Sequence, residues 1–88
     1  MEIDVKAIKF DATDKLQEFI QKKVGKLDRI CDNIRKVEVS LKVVKPATAQ
    51  NKEVSVTVKL PGEEIFVDKL SDTFEEAITQ SMPAIERQ

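Results

Sequence analysis

The stretch from residue 13 to residue 31, TDKLQEFIQKKVGKLDRIC, carries the strongest structural signal of this sequence. Its apolar residues recur every three or four positions, so they form a single stripe along a helix of about five turns. The stripe consists of Leu16, Phe19, Ile20, Val24, Leu27, Ile30 and Cys31. Thr13 is the predicted N-cap, and Asp14 suits the first turn because the helix dipole favours an anion there. We therefore predict one long amphipathic helix with one buried side.

Alternating apolar and polar residues on both sides of this helix predict β-strands. The alternation runs over residues 2–7, 36–43, 53–60 and 64–70. A proline-containing loop at residues 46–51 separates the second strand from the third, and Pro61-Gly62 marks a tight turn before the fourth. Each strand is polar at every second position, which predicts a sheet with one buried face.

A second helix is predicted to begin near Ser71 or Asp72, because Asp72 and Glu75 have the spacing of a capping box. Its inner stripe consists of Phe74, Ala77, Ile78, Ser81, Met82 and Ile85. Pro83 removes a backbone donor within this segment, so we expect a kink or an early end.

The predicted order β-α-β-β-β-α places the chain in the α+β class. The last three strands are joined by short connections and should be antiparallel, whereas the first reaches its neighbour through a helix and should be parallel to it. A four-stranded mixed sheet with two helices packed on one face satisfies both conditions. The chain has 88 residues, and we interpret residues 1–88 as a single domain.

The formal net charge of −1 conceals two segments of opposite sign. Residues 15–45 contain nine basic and four acidic side chains, which gives this segment a charge of +5. Residues 53–86 contain eight acidic and two basic side chains, which gives −6. Such a separation can steer an anionic partner to one side of a nearly neutral molecule. Chance clustering on an ordinary mixed surface is the alternative explanation.

The composition argues against an enzyme. The sequence has no histidine, and its single cysteine, Cys31, falls on the apolar stripe, so the usual activated nucleophiles and His/Cys metal sites are missing. No glycine-rich phosphate loop is present, since Gly25 and Gly62 are the two glycines. No apolar run approaches the roughly 20 residues of a membrane-spanning helix. We expect no cofactor, no small-molecule substrate and no membrane partner, and a lone cysteine is typical of the cytoplasm.

The first predicted helix carries a candidate nucleic-acid interface. On a continuous helix four basic residues fall within a sector roughly 60° wide, beside the apolar stripe. They are Lys15, Lys22, Lys26 and Arg29. Lys23 lies closer to the stripe, where its stem can follow the edge of the core. All four phenylalanines fit interior patterns, so we predict contacts to the RNA backbone rather than stacking on bases. The alternative is a solvated helix flank.

Five segments resemble a bacterial family, and together they cover almost the whole chain. They are DATDKLQEF at residues 11–19, KKVGKLD at 22–28, VEVSLKV at 37–43, DTFEEAI at 72–78 and IERQ at 85–88. The order and spacing resemble the ribosome hibernation-promoting factor or ribosome-associated inhibitor family, also called ribosomal subunit interface proteins or the sigma-54 modulation family.

The resemblance implies a domain similar to double-stranded RNA-binding domains. It also implies binding to the 30S ribosomal subunit and its 16S rRNA, in the channel used by mRNA and tRNA. Such binding inhibits translation and promotes ribosome hibernation in stationary phase, with a second hibernation factor as a further partner. Residues at matching basic positions are Lys23, Lys26, Lys42, Lys45 and Arg87; Lys22 and Arg29 join them from the helical sector.

The sequence departs from the family pattern in its second helix. Phe74 stands where tyrosine is common, and Ala84, beside Pro83, stands where lysine is usual. The family's basic tail has no counterpart before Gln88, and a dimerisation domain does not follow, so the chain resembles the short form. We expect weaker RNA binding from the missing cations. A different function remains open: a protein–protein interaction module that uses its sheet edge or polar sheet face without binding RNA directly.

Overall fold

The computed structural model describes residues 2–30, 32–44 and 50–87. Four strands and three helices follow one another along the chain. They are β1 (Glu2–Ala7), α1 (Asp14–Gly25), α2 (Leu27–Ile30), β2 (Lys36–Val43), β3 (Lys52–Leu60), β4 (Glu63–Ser71) and α3 (Phe74–Glu86). Both long helices pack on the same buried face of the sheet, so the predicted architecture is confirmed.

The four strands form one sheet in the order β1-β2-β3-β4. β1 pairs with β2 in parallel, with Ile3 opposite Val37. The β2–β3 and β3–β4 pairs are antiparallel, with Val39 opposite Val56 and Val56 opposite Val67. The mixed sheet predicted from the connection lengths is therefore confirmed, and β1 and β4 are its edges.

The core lies between the inner face of the sheet and one side of each long helix. Ile20 and Val24 of α1, Leu41 of β2 and Ile78 of α3 are completely buried. These side chains come from the periodic positions that the sequence shows. Full burial of an aliphatic side chain contributes about 1.5–3 kcal/mol, and this shared core fixes the helices on the sheet.

The first helix is shorter than predicted. α1 ends at Gly25, Lys26 is its C-cap, and a single further turn, α2, begins at Leu27. Gly25 weakens helix propagation, because glycine is about 1 kcal/mol less favourable than alanine inside a helix. Leu27 is nevertheless 2% exposed, which explains why the apolar stripe continues across the break. Thr13 is the N-cap as predicted, and its Oγ1 accepts a hydrogen bond from the Leu16 amide at 3.1 Å.

The last helix begins one position later than its expected cap. Thr73, not Ser71 or Asp72, is the N-cap, and its Oγ1 accepts from the Glu76 amide at 3.1 Å. Asp72 instead accepts a hydrogen bond from the Gln50 amide at 2.8 Å. The helix continues past Pro83 to Glu86, so the early end does not occur.

The two long helices end at the same end of the molecule. β1 and β4 run in the same direction, because β1 is parallel to β2 and two antiparallel pairings follow. Each helix follows one of these strands and returns along the sheet, and α1 packs beside α3. Among the described helices, none combines the length and apolar character needed to cross a membrane.

Candidate nucleic-acid interface

The last turn of α1 presents basic side chains at the edge of the core. Leu16, Ile20 and Val24 are buried on one side of the helix, so the intervening positions face outward. Lys22 is exposed and Lys23 is half-buried there. Cations are favourable at this position, because the C-terminal end of a helix carries partial negative charge.

Lys23 is held in place by an aromatic ring. Its Nζ lies 5.6 Å from the centroid of the Phe19 ring, one turn earlier. This is cation–π geometry, and it lets the stem of Lys23 cover the core boundary while the ammonium group faces solvent. The sequence-based position of Lys23 beside the apolar stripe is confirmed.

Lys26 and Arg29 lie beyond the end of α1, so the predicted 60° sector is wrong as a single helical ridge. Lys26 is the C-cap, its amide donates to the Lys23 carbonyl at 3.3 Å, and the Arg29 amide donates to the Lys26 carbonyl at 3.1 Å. The sector angle assumed one helix axis through residue 29, whereas α2 is a separate turn. Both side chains are exposed, and they continue the basic surface past the helix end.

Two further arginines lie at this end of the molecule. Arg87 is the exposed C-cap of α3, which ends beside α1. Arg35 is exposed just before β2. Its amide donates a hydrogen bond to the Lys59 carbonyl at 2.8 Å, and its carbonyl accepts one from the Glu2 amide at 3.3 Å, so its backbone position is fixed. Sequence reasoning missed Arg35 as a site residue, although the basic segment contained it. We call the set of residues at this place the basic end: Lys22, Lys23, Lys26, Arg29, Arg35 and Arg87.

The cations of the basic end have no ion-pair partner within the described part of the chain. Two lysines on the outer face of the sheet, by contrast, form ion pairs. The Nζ of Lys36 lies 3.0 Å from Oδ2 of Asp4, and the Nζ of Lys59 lies 3.1 Å from Oε1 of Glu38. Asp28 and Asp32 are exposed in the same chain region and reduce its net charge. The remaining positive charge is available to an external anion.

The structure separates Lys42 from the basic end. Lys42 is exposed near the C-terminal end of β2, on the sheet face that points away from the helices. About six residues of strand, roughly 20 Å, lie between it and the end where α1 finishes. It lines a pocket with Lys9, Phe10 and Val43, and Lys9 is a second cation that sequence reasoning missed. Lys45 lies outside the described residues.

The basic end suits a phosphate backbone. Its six charges come from the ends of α1 and α3, from α2 and from the loop before β2. Such an array positions a nucleic acid by phosphate contacts and reads no base directly. Lys22 also lines an open pocket along α1 with Asp14, Gln17, Glu18 and Gln21, so two carboxylates adjoin the basic end on this side.

One expectation about the aromatic residues is wrong. Phe10 and Phe74 pack against each other with ring centroids 5.2 Å apart, and Phe74 is buried. Phe66, however, is 59% exposed on the outer face of β4. Ile65 and Val67 occupy the inner positions of that strand, so the alternation directs Phe66 outward.

The comparisons with known proteins agree with this architecture. The sequence model of the family described as Sigma 54 modulation protein / S30EA ribosomal protein matches residues 3–88. The structure of a ribosomal subunit interface protein from Coxiella burnetii is 28% identical, with a TM-score of 0.84; the alignment covers 100% of this chain and 92% of that one. A comparison with curated protein sequences gives no significant match.

The N-terminal domain of Protein Y from Thermus thermophilus has the same fold. The two chains are 24% identical with a TM-score of 0.84, and the alignment covers 100% of this chain and 94% of that domain. At this identity the likeness is evidence for the fold alone. Strand order, helix order and the position of the helices on the sheet are therefore those of known structures.

Proposed function

Because this chain belongs to the sigma 54 modulation protein / S30EA ribosomal protein family, we propose that it binds the small ribosomal subunit in the mRNA and tRNA channel. Family membership itself means ribosome association and a non-enzymatic role. Our proposal adds which ribosomal subunit is bound, which surface of this chain binds it and how binding affects translation. Occupation of the channel by residues 1–88, acting as one domain, excludes mRNA and tRNA and keeps idle cytoplasmic ribosomes inactive in stationary phase.

The observation that carries this proposal is the basic end. Six cations lie where α1 and α3 finish, and the described residues give none of them a carboxylate partner. Ribosomal RNA offers phosphates at a density that such a surface matches, and each neutralised phosphate releases a counterion. The contacts are with the backbone of 16S rRNA, because Phe66, the exposed aromatic residue of the described chain, lies on β4 and outside the basic end.

Lys42 and Lys45 form a second part of the proposed contact. Lys42 and Lys9 line one pocket at the far end of the sheet. The folded molecule is 40 Å long, so contacts at both ends would connect two separate segments of rRNA. A bridge of this kind stabilises the subunit in one conformation, as a hibernation factor requires.

Co-sedimentation with purified 30S subunits across a salt series tests the proposal. The change is Lys23→Glu combined with Lys26→Glu, and we expect it to abolish binding, since it replaces two cations of the basic end by anions. The slope of log affinity against log salt concentration should become shallower by about one unit for each single Lys→Gln change at these positions.

Lys6→Glu is the matched control, compared with Lys26→Glu alone. Lys6 is exposed on β1, in the outward row of the sheet, so the change in net charge is the same but the place differs. The control should retain more of the affinity than Lys26→Glu, because Lys6 lies outside the basic end. Circular dichroism should give the same thermal transition for each variant. Equal binding by the double variant and the unchanged chain would remove the basic end from the interface.

A further inference from the structure

The outer face of β4 carries exposed apolar side chains that the proposed RNA contact does not use. Phe66 is 59% exposed and Leu70 is 49% exposed, and they are the large hydrophobic residues of the described chain that face solvent most openly. Both point to the side of the sheet without helices, because Val67 and Ser71 occupy the buried positions. Exposed apolar side chains on an edge strand favour pairing with another extended chain.

β4 also has unpaired backbone along one side. It is the last strand in the order β1-β2-β3-β4, and within the described residues no strand pairs with its outer edge. An edge of nine residues offers amide and carbonyl groups to another extended chain, which can add to the sheet as a further strand.

The charge of this row is negative, and Lys59, which lies opposite Glu64 on β3, forms its ion pair with Glu38 instead. Glu64 and Asp68 alternate with Phe66 and Leu70 along the exposed side of β4. Among the described residues neither carboxylate has an ion pair, whereas Glu38 on the same sheet face is paired with Lys59. Lys69 is half-buried on the helix side of the strand. The row therefore presents acid and apolar side chains in turn, about 6.6 Å apart.

We propose that β4 is a docking strand for an extended, basic segment of another protein, in which every second residue faces the outer side of the sheet and these residues are Lys or Arg and aliphatic in turn. Such a segment adds beside β4 and places its cations next to Glu64 and Asp68, and its aliphatic side chains next to Phe66 and Leu70. Cross-strand pairs of these kinds are individually favourable. This surface lies two strands from Lys42 on the outer sheet face, and the binding of this partner does not depend on the proposed rRNA contact.

Charge selects this partner over two others. An RNA phosphate backbone is repelled by the carboxylates of β4. A second copy of this chain is also disfavoured, because its β4 would bring Glu64 and Asp68 close to their equivalents. Its other edge, β1, carries Glu2, Asp4 and Lys6 on the exposed side. Two of these three residues are acidic, and like charges placed opposite each other on paired strands are destabilising.

The test uses an acetylated nonapeptide with lysine at positions 1, 5 and 9, valine at positions 3 and 7 and threonine between them, so that lysine and valine alternate along one face, and the full 88-residue chain labelled with ¹⁵N. Titration should shift the amide resonances of β4 and leave those of α1 and α2 in place. A peptide with glutamate in place of lysine should cause no shift. Equal binding of both peptides, absence of β4 shifts at millimolar peptide, or shifts concentrated in the helices would each overturn the proposal.

Two variants separate the apolar and the ionic contributions. Phe66→Thr with Leu70→Thr keeps strand-forming residues but removes the apolar contacts, and it should weaken peptide binding roughly tenfold. Glu64→Gln with Asp68→Asn should weaken it similarly and reduce its salt dependence. Glu18→Gln is the control, because it removes an exposed carboxylate of α1. This variant should bind the peptide like the unchanged chain. Unchanged affinity in both double variants would overturn the proposal.

The outcomes remain distinguishable from those of the ribosome experiment. The peptide titration contains no RNA, so failure of 30S binding does not affect it. Sedimentation equilibrium of the chain alone should show a monomer over the same concentrations. Dimerisation abolished by Phe66→Thr would assign β4 to a second copy and contradict the proposed partner, as would β4 shifts on addition of an RNA duplex.

Discussion

Lys23 shows at the scale of one residue how an apolar contact fixes a charge. Its ammonium group lies over the Phe19 ring at 5.6 Å from the centroid, and Phe19 packs against the core. A lysine held in this way loses less conformational freedom when it meets a phosphate than a fully solvated lysine does. Lys22, on the exposed side of the same turn, has no such support in the described structure.

We expect Phe19→Leu to lower the affinity for 30S subunits about two- to fivefold, because a cation–π contact at an exposed site contributes about 0.5–1 kcal/mol. The effect should disappear in a Lys23→Gln background, which filter binding of the single and double variants can measure. Additive losses would show that the Phe19 ring acts through the fold and not through Lys23.

The exposure of Phe66 is predictable from the sequence, although an interior position was expected for it. The alternation that places Ile65 and Val67 inward also places Phe66 outward, so its 59% exposure follows from the strand pattern itself. Lys42 is a different case. Its exposure follows from the same kind of pattern, but its separation from α1 depends on strand order and direction, which are properties of the whole sheet.

Gly25 determines where the first helix ends, at the scale of the elements. Periodicity alone predicted one helix to residue 31, because Leu27 continues the apolar stripe after the break. A pattern of apolar residues cannot distinguish one helix from two successive helices that bury the same side. The consequence for the site is that Lys26 and Arg29 are oriented by a cap and by α2.

Gly25→Ala should raise the free energy of unfolding by about 0.4–1 kcal/mol, since a Cβ at this position meets no atom within 4 Å and alanine restricts the unfolded chain. Gly62→Ala is the matched comparison. Gly62 has φ +79° in the turn between β3 and β4, so we expect a loss of stability of about 1 kcal/mol. Urea unfolding of both variants checks this, and a destabilised Gly25→Ala chain would show that the break needs glycine.

The cap of α3 is also an element-scale property. Thr73→Ala should lower the free energy of unfolding by about 1 kcal/mol, because the Glu76 amide loses its acceptor. Glu75→Gln, at the position first expected to complete a capping box, should have a much smaller effect. Thermal unfolding measures the difference, and a larger loss from Glu75→Gln would restore the cap predicted from the sequence.

The β1–β2 pair has a pH-dependent contact on its outer face. The hydrogen bond and the charge of Asp4 raise the pKa of Lys36 above its ordinary value of 10.5. A cation whose pKa is raised by folding stabilises the folded state below its unfolded pKa, and this contribution is lost as pH rises through the folded pKa. The stability advantage over Lys36→Met should therefore be constant up to about pH 9 and shrink above pH 10.5.

Urea unfolding at a series of alkaline pH values measures this dependence. Lys6→Met is the control on the neighbouring strand, because Lys6 has no ion pair among the described residues. Its stability difference from the unchanged chain should vary less with pH. The assigned contact would be contradicted if the difference in unfolding free energy between the unchanged chain and Lys36→Met stayed constant up to about pH 12, well above the ordinary lysine pKa.

Charge separation organises the whole molecule. The basic end lies where the helices finish, and the exposed carboxylates of β4 lie at one edge of the sheet. The sequence predicted two segments of opposite sign, the α+β class and the parallel β1–β2 pair. It could not predict which cations share an end, because Arg87 and Lys23 are far apart in the chain and meet through the packing of α3 beside α1.

Removal of the acidic charges of β4 should leave ribosome binding almost unchanged. Glu64→Gln with Asp68→Asn raises the net charge by two, yet we expect the affinity for 30S subunits to change by about twofold or less at physiological salt, because screening limits charges farther than about 8 Å from the RNA. A salt-controlled filter-binding assay measures this, and a large gain in affinity would place β4 against the rRNA.

Footprinting of 16S rRNA in 30S subunits saturated with the chain tests the central claim most directly. Hydroxyl radicals report the sugar–phosphate backbone, and base-specific reagents report the base edges. We predict backbone protection at nucleotides that line the mRNA and tRNA channel, little change in base reactivity, and loss of the protection with Lys23→Glu and Lys26→Glu. Protection confined to another surface of the subunit, or no protection while the chain still co-sediments, would contradict the account.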